Sequence, residues 1–389
     1  MVRDRKLSFP EVEVRLKSRG AGEIVEVDLD TGCRYAVPSE MRGGFRVFRT
    51  SFGELGSRLF LEGKFPAGTA SPRPPEPAGE TVLALPASGW EIRRDEPNVL
   101  VLDHGRYTVD GGRNWSEKLF FIKLDAEVRA LLGKPPRSGA MVQPYIAVDR
   151  TPQRTLPLEV EFTFGCAELP RHDLELVLER PDLYTVRVNG ELLEKRETGI
   201  WADPAQRKLA LPARLLRVGV NRLTLGCDYH EFLPGLEAPF LLGDFGVKDD
   251  TIVALPDRIA VGDWCEQGFP HYSGNFTYLC RVQGIPADGK PLFLEFGAWR
   301  GASLGVSVNG GPLHPVPWPP FRVEIGSELT SGDNEIAITV FGHRRNAYGP
   351  FYLEETWPPW SGPLQFKAYL QPKRNLVPCG LLKPPVLER

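Results

Sequence analysis

One short pattern occurs twice in this chain. LYTVRVNGELL is followed by GVNRLTL around Asn189 and Asn221, and LGVSVNGGPL is followed by GDNEIAITV around Asn309 and Asn334. In residues 184–188 and 304–308 apolar and polar side chains alternate, the period-two signature of a strand with one buried face. Asn189-Gly190 and Asn309-Gly310 then supply the left-handed backbone angles that a tight type I′ hairpin turn demands. Further on, residues 219–221 and 332–334 make a second turn, leading into the alternating stretches 222–225 and 335–340. The chain therefore repeats a unit of roughly 110–120 residues, the size of one β-domain, and two antiparallel sandwiches in tandem are the simplest architecture. The four asparagines read as turn residues.

The rest of the chain is consistent with an all-β prior. It has 389 residues, long enough for two or three domains, and its 40 glycines and 37 prolines suit many short strands joined by turns. A formal charge of −3, with Lys and Arg spread rather than clustered, leaves no electrostatic footprint for nucleic acid. No apolar run approaches the roughly 20 residues that span a bilayer, and MVRDRKLSFP lacks the apolar core of a signal peptide. As given, the chain reads as soluble, cytoplasmic and not marked for export. The six cysteines, Cys33, Cys166, Cys227, Cys265, Cys280 and Cys379, show no C-x-x-C spacing. They point to neither a zinc site nor a redox pair and read as buried reduced thiols of a reducing compartment.

Residues 1–150 differ from the repeat. VEVRLK, EIVEVDLD, FRVFRTSF, SRLFL, TVLAL, WEIRR and NVLVLD predict a strand series, with a turn at Asp30-Thr31-Gly32. Residues 66–77 hold five prolines and predict an exposed loop. One helix is expected, within 117–132: Phe121, Leu124, Val128 and Leu131 share a face, and Gly133 followed by Pro135-Pro136 stops it. The first sandwich should cover 155–248 and the second 250–372, with the 248–251 junction too short for a free linker. The proline-broken tail, 373–389, is expected along the surface or partly disordered.

VRVNG…LLRVGVNRLTL and VSVNG…SGDNEIAITV resemble the jelly-roll, galactose-binding-like sandwiches attached to family 2 glycoside hydrolases and the related rhamnosidase-like enzymes. Three further stretches strengthen the resemblance: LEAPFLLGDFGV (236–247), GFPHYSGNFTYLCRV (268–282) and FGHRRNAYGPFY (341–352). It covers about 155–372 well and the first 150 residues more loosely. It implies tandem jelly-roll sandwiches preceded by a strand-rich connector domain, downstream of a catalytic barrel. Met1 is then either the start of a separately encoded subunit or that of a truncated gene.

Glycoside hydrolysis needs two carboxyl groups across the sugar, about 5 Å apart for retention or roughly 6.5–9.5 Å for inversion. Fifty acidic residues make such pairs trivial to nominate. No alternating series of strands and helices predicts a (β/α)₈ barrel, where the family keeps its acid and base. No G-x-S-x-G elbow, P-loop or H-E-x-x-H occurs either, so no catalytic residue, metal ligand or cofactor is assigned. Sugar binding has firmer grounds, because an aromatic face stacks on a pyranose while Arg and Asn bond its hydroxyls. The candidates are Trp264, Trp299, Arg300, Arg345 and Tyr348 of the second sandwich, as carbohydrate-binding or interdomain residues. Trp264 and Trp299 also read as plugs of the sandwich core or covers of its end, and RRNAYGP as a fold-stabilising corner. In the first sandwich, Trp201, Tyr229 and Glu237 read as a site or as core and interface. The expected function is a non-catalytic C-terminal region or subunit of a bacterial glycoside hydrolase, with a glycan and the barrel as partners. The alternatives are a stand-alone carbohydrate-binding or protein-interaction module, or a glycosidase with an unrecognised site.

Overall fold

The computed structural model describes the chain apart from residues 1–7, 18–21, 30, 54–55, 73–78, 138–150, 286–289 and 356–361. The Asp30 corner and the 73–77 end of the proline-rich stretch lie outside the described residues. Strands dominate, and their pairing is almost entirely antiparallel. Before residue 81 they form two small sheets. One joins Phe9–Lys17, Phe45–Phe52 and Glu40–Arg42; the other joins Arg34–Val37, Glu23–Val27 and Leu59–Gly63. The hydrophobic side chains buried there are Ile24, Val25, Val47 and Phe48.

Two larger sandwich-like units follow. In the first, one sheet runs Leu119–Phe120, His104–Thr108, Leu156–Cys166, Gly219–Tyr229, Thr185–Val188, Glu191–Leu192. The facing sheet runs Glu197–Ile200, Gln206–Leu211, Leu174–Glu179, Phe240–Gly243, Asn98–Val101. Alternation fixes which face turns inward: Leu158, Val160, Phe162 and Phe164 meet Leu174, Leu176 and Leu178 in one core. The second unit repeats the strand order of the larger sheet, and its facing sheet has four strands where that of the first has five. Its sheets run Arg258–Ile259, Trp90–Arg94, Phe276–Val282, Asn334–Phe341, Ser303–Val308, His314–Val316, and Arg322–Glu324, Phe293–Glu295, Val386–Glu388, Thr81–Ala84.

The units are not placed in tandem. Thr81–Ala84 and Trp90–Arg94 belong to the second sandwich, whereas Asn98–Val101 and His104–Thr108 belong to the first. The first sandwich is thus inserted between the opening strand pair of the second and the remainder of it. The strands expected to build a separate connector after residue 80 are shared between the sandwiches, because each sheet has a vacant edge only another strand can satisfy. The tail also differs from its expectation. Gly380–Leu381 pairs with Trp299–Arg300, Val386–Glu388 lies between two strands of the sheet, and Leu381 and Leu387 are fully buried. Apolar side chains at Leu381 and Leu387 gain more by filling the sandwich than by lying along its surface.

The repeated asparagines do more than turn the chain. Asn189 and Asn309 have φ of 52° and 53° and are followed by Gly190 and Gly310, also at positive φ, as the type I′ turn requires. Their side chains then clasp Asn221 and Asn334. Asn189 Nδ2 donates to Asn221 Oδ1 at 2.8 Å, and Asn309 Nδ2 to Asn334 Oδ1 at 2.9 Å. Asn221 and Asn334 are buried, and each amide donates to two backbone oxygens of its own turn, Arg217 and Gly219 or Thr330 and Gly332. The same contacts recur at equivalent places in both units, which supports duplication beyond the sequence pattern.

The main helix spans Phe121–Leu131 and ends at Gly133, whose φ of 70° allows N–H groups of residues 133 and 134 to return to the carbonyls of Ala130 and Arg129. Its buried face is Leu124, Asp125 and Val128; Leu131 is exposed. Asp125 is tolerated inside because Tyr229 Oη donates to it at 2.8 Å and Arg137 Nε at 3.1 Å. One-turn helices at Arg345–Tyr348 and Pro363–Lys367 were not expected from periodicity, which such short segments cannot display.

Candidate functional site

The five candidate residues occupy three different places. Trp264 opens the 3₁₀ turn Trp264–Gln267, entered from Asp263, whose carboxylate accepts from Cys265 N. Its indole has no exposed surface and stacks on Phe276 at 5.0 Å. It therefore offers no face to a sugar. The signal was present in the following residues, because Phe276 and Tyr278 alternate inward and gather Phe269 and Tyr272 into the same cluster.

Arg345 and Tyr348 lie at the seam between the sandwiches. Tyr348 stacks on Trp201 with ring centres 5.5 Å apart, contacts Phe240, and donates its hydroxyl to Gln206 Oε1 at 2.6 Å. Burial pushes its pKa up to about 12. The neighbouring Arg344 pairs with both carboxylate oxygens of Glu96, at 2.7 and 2.5 Å, with its guanidinium 5.5 Å from the Trp201 ring. Arg345 Nη2 donates to Asn375 O at 3.3 Å, and burial lowers its pKa. The RRNAYG corner thus joins one sandwich to the other and to the tail.

Trp299 and Arg300 remain at an open edge. Their short strand is held by Gly380–Leu381, and the half-buried Trp299 meets Phe321 edge-on at 5.0 Å. Arg300 is exposed, with Nη1 bonded at 2.8 Å to the carbonyl of Trp299. Trp318, on the loop that leads to Phe321, is 45% exposed. Trp299, packed on Phe321, and the exposed Arg300 thus share one short strand, and the exposed Trp318 lies three residues before Phe321.

One buried, multiply bonded carboxylate was not nominated from sequence. Asp103, only 1% exposed, accepts from Arg374 Nη2 at 2.5 Å and Nε at 3.1 Å, from Tyr352 Oη at 2.6 Å, and lies 2.8 Å from His104 Nδ1. Arg374 also pairs with Asp250 and reaches toward His271 Nε2. Burial raises the Asp103 pKa, but His104 and Arg374 outweigh it and hold the carboxyl well below its usual range. His271 is wholly enclosed, and burial, aided by Arg374, lowers it to about 4. The only local hint was Asp103-His104 closing an apolar strand; Arg374 comes from the distant tail.

Two carboxylates meet in the first sandwich. Glu179 and Glu237 line a cavity of about 20 Å³, room for roughly one water. Burial raises both; for Glu237, with Glu179 and Asp125 adding to it, the pKa reaches about 8. Of the other first-sandwich candidates, Trp201 is at the seam and Tyr229 is core, bonded to Asp125. A groove of about 620 Å³ separates the 247–249 hairpin from residues 265–270, lined by Lys248, Asp249, Arg258, Glu266 and Gln267 but by no aromatic ring. Among the described residues no three His, Cys, Asp or Glu side chains form a metal-binding group, and no helix is long and apolar enough to cross a membrane.

No protein-family model and no curated protein matches the chain. Among solved structures, it is similar over 61% of its length to a rhamnosidase from Novosphingobium sp. PP1Y, with 18% identity and a TM-score of 0.26. The match covers 22% of that enzyme, so the chain spans about a fifth of its length. A likeness of this size carries no argument about activity.

Proposed function

We propose that this chain is a non-catalytic accessory region of a glycoside hydrolase, which packs against a catalytic barrel and contacts carbohydrate through the edge formed by Trp299, Arg300, Trp318 and Phe321. The observation that carries the reading is the exposed Arg300 guanidinium on the strand of the half-buried Trp299, with Trp318 exposed on the loop that leads to Phe321. Indole faces stack on the C–H face of a pyranose, and a planar cation beside them bonds its hydroxyls. Three ordered stretches, 236–247, 268–282 and 341–352, support the link to these hydrolases through their sequence resemblance. A non-catalytic role is supported by the Glu179–Glu237 cavity, which is too small to admit a sugar ring between the two carboxylates.

The test is binding of the full chain to a panel of immobilised oligosaccharides, beside the Trp299→Ala and Trp318→Ala variants. Loss of one stacking face should weaken binding about tenfold, roughly 1.4 kcal/mol, with unfolding midpoints little changed for the exposed Trp318. Unchanged binding in both stable variants would remove the edge from the site. Hydrolysis of aryl glycosides by the purified chain alone would overturn the non-catalytic reading.

A further inference from the structure

Cys265 and Cys379 are far apart in sequence, yet the fold sets them side by side. The backbone N–H groups of both donate to a single oxygen, Asp263 Oδ1, at 2.9 and 3.0 Å. Trp264 N donates to the Cys379 carbonyl at 2.9 Å, so the two backbones run against each other. The sulfurs converge as well. Each thiol reaches Val377 O, at 3.6 Å for Cys265 and 3.5 Å for Cys379, and the two share a hydrogen bond. Asn346 Nδ2 donates to Cys265 Sγ at 3.2 Å and lies 3.9 Å from Cys379 Sγ. His343 Nε2 stands 3.2 Å from Cys379 Sγ. Both cysteines are unpaired thiols.

We propose that Cys265 and Cys379 are a reversible thiol–disulfide pair, oxidised by a small hydroperoxide that enters along the neighbouring groove. Three features distinguish this arrangement from buried inert cysteines. Both sulfurs lie against the same two groups, the Val377 carbonyl and Asn346 Nδ2, which gathers them where a disulfide could close. An imidazole beside one sulfur stabilises the thiolate, the form that reacts. Cys265, partly exposed, lines the groove of about 620 Å³, which brings a small oxidant up to the pair. The thiol of Cys265 donating to Cys379, and then His343, lower the Cys379 pKa despite burial.

The chemistry balances with the hydroperoxide as oxidant. Cys379, as the thiolate beside His343, attacks the terminal peroxide oxygen. The O–O bond breaks, an alcohol or water leaves with the proton held by His343, and Cys379 becomes a sulfenic acid. The Cys265 thiol then attacks that sulfur, the S–S bond forms, and hydroxide departs as water with the proton that Cys265 gives up. Two thiols and one hydroperoxide give one disulfide, one alcohol or water, and one water. A dithiol reductant reverses the outcome. The bond would fasten the strand Gly380–Leu381, on which Trp299–Arg300 is laid, to the body of the second sandwich.

The test uses the full chain treated with hydrogen peroxide, followed by intact-mass measurement, thiol alkylation and peptide mapping. The expected result is a loss of about 2 Da, one linked pair of peptides carrying Cys265 and Cys379, and recovery of both alkylatable thiols with dithiothreitol. In Cys265→Ser, a dimedone adduct should appear on Cys379 instead, which locates the first oxidation. His343→Gln should slow linkage about tenfold at neutral pH. Absence of the linked peptide from the peroxide-treated wild-type chain, or direct progression of its Cys379 to sulfinic acid, would overturn the proposal. An unchanged linkage rate in folded His343→Gln would remove the imidazole from it.

Discussion

Replacing Arg374 with methionine should destabilise the fold by about 3–5 kcal/mol, the loss expected when one partner of a buried ion pair is removed. Met keeps much of the length and apolar bulk of the side chain, so the change reads charge and hydrogen bonding more than packing. The guanidinium makes two contacts to the Asp103 carboxylate, at 2.5 and 3.1 Å, one to Asp250, and one to the Val101 carbonyl at 3.3 Å. Without it Asp103 keeps only Tyr352 Oη and His104, at 2.6 and 2.8 Å, around a side chain 1% exposed. Those remaining bonds place the loss toward the lower end of the range. At about 2.1 cal/mol/K of unfolding entropy per residue, a chain of 389 residues loses roughly 1.2 °C per kcal/mol, so the melting temperature should fall by roughly 4–6 °C. The decisive comparison is Arg374→Met with Arg374→Met/Asp103→Asn, measured by urea unfolding at pH 7. If the penalty is an uncompensated buried charge, the second change should recover at least half of the first. A double variant no more stable than the single, or a single-variant loss below about 1 kcal/mol, would refute the reasoning.

Two further outcomes follow from buried polar groups. Asn221→Ala and Asn334→Ala should each destabilise by roughly 2–4 kcal/mol, because each deletes several hydrogen bonds from a buried site and orphans backbone carbonyls; similar unfolding losses in the two variants are expected, and a loss under about 0.5 kcal/mol in either would show that water replaces the clasp. His271 is lowered to about 4, so the folded state binds its proton less readily than the unfolded chain, whose histidines titrate near ~6.5. Its contribution is therefore complete above about pH 6.5 and lost as pH falls through that value toward about 4. His271→Gln should flatten the decline in urea midpoint between pH 7 and pH 5, and an undiminished slope would assign it to other groups.

Much of the local structure was legible in the residues, and the site much less so. The Asn-Gly turns, the alternating strands and the helix near 121–131 are decided by backbone angles and side-chain period, properties of a few consecutive residues. The aromatic candidates carried no such information. Trp264 and Trp299 have the same local character, yet one is sealed in the core and the other lines an edge. Asp103 and Cys379 gave no sign of Arg374 and His343 as their partners, because these come from distant segments.

What the sequence by itself determined is a β-chain with a duplicated strand–turn–strand unit, since period-two alternation and left-handed turn residues permit little else at 184–190 and 304–310. Only the tertiary structure decided that the units are nested. An alternating strand specifies which of its faces is buried but not which sheet edge it joins, for its backbone donors and acceptors match those of any other strand. Thr81–Ala84 and Trp90–Arg94 are placed in the second sandwich, and Val386–Glu388 beside them, by which edges are open once both cores have formed. The same long-range closure brings Arg374 to Asp103 and Cys379 to Cys265, so the polar chemistry of this protein exists only in the folded chain.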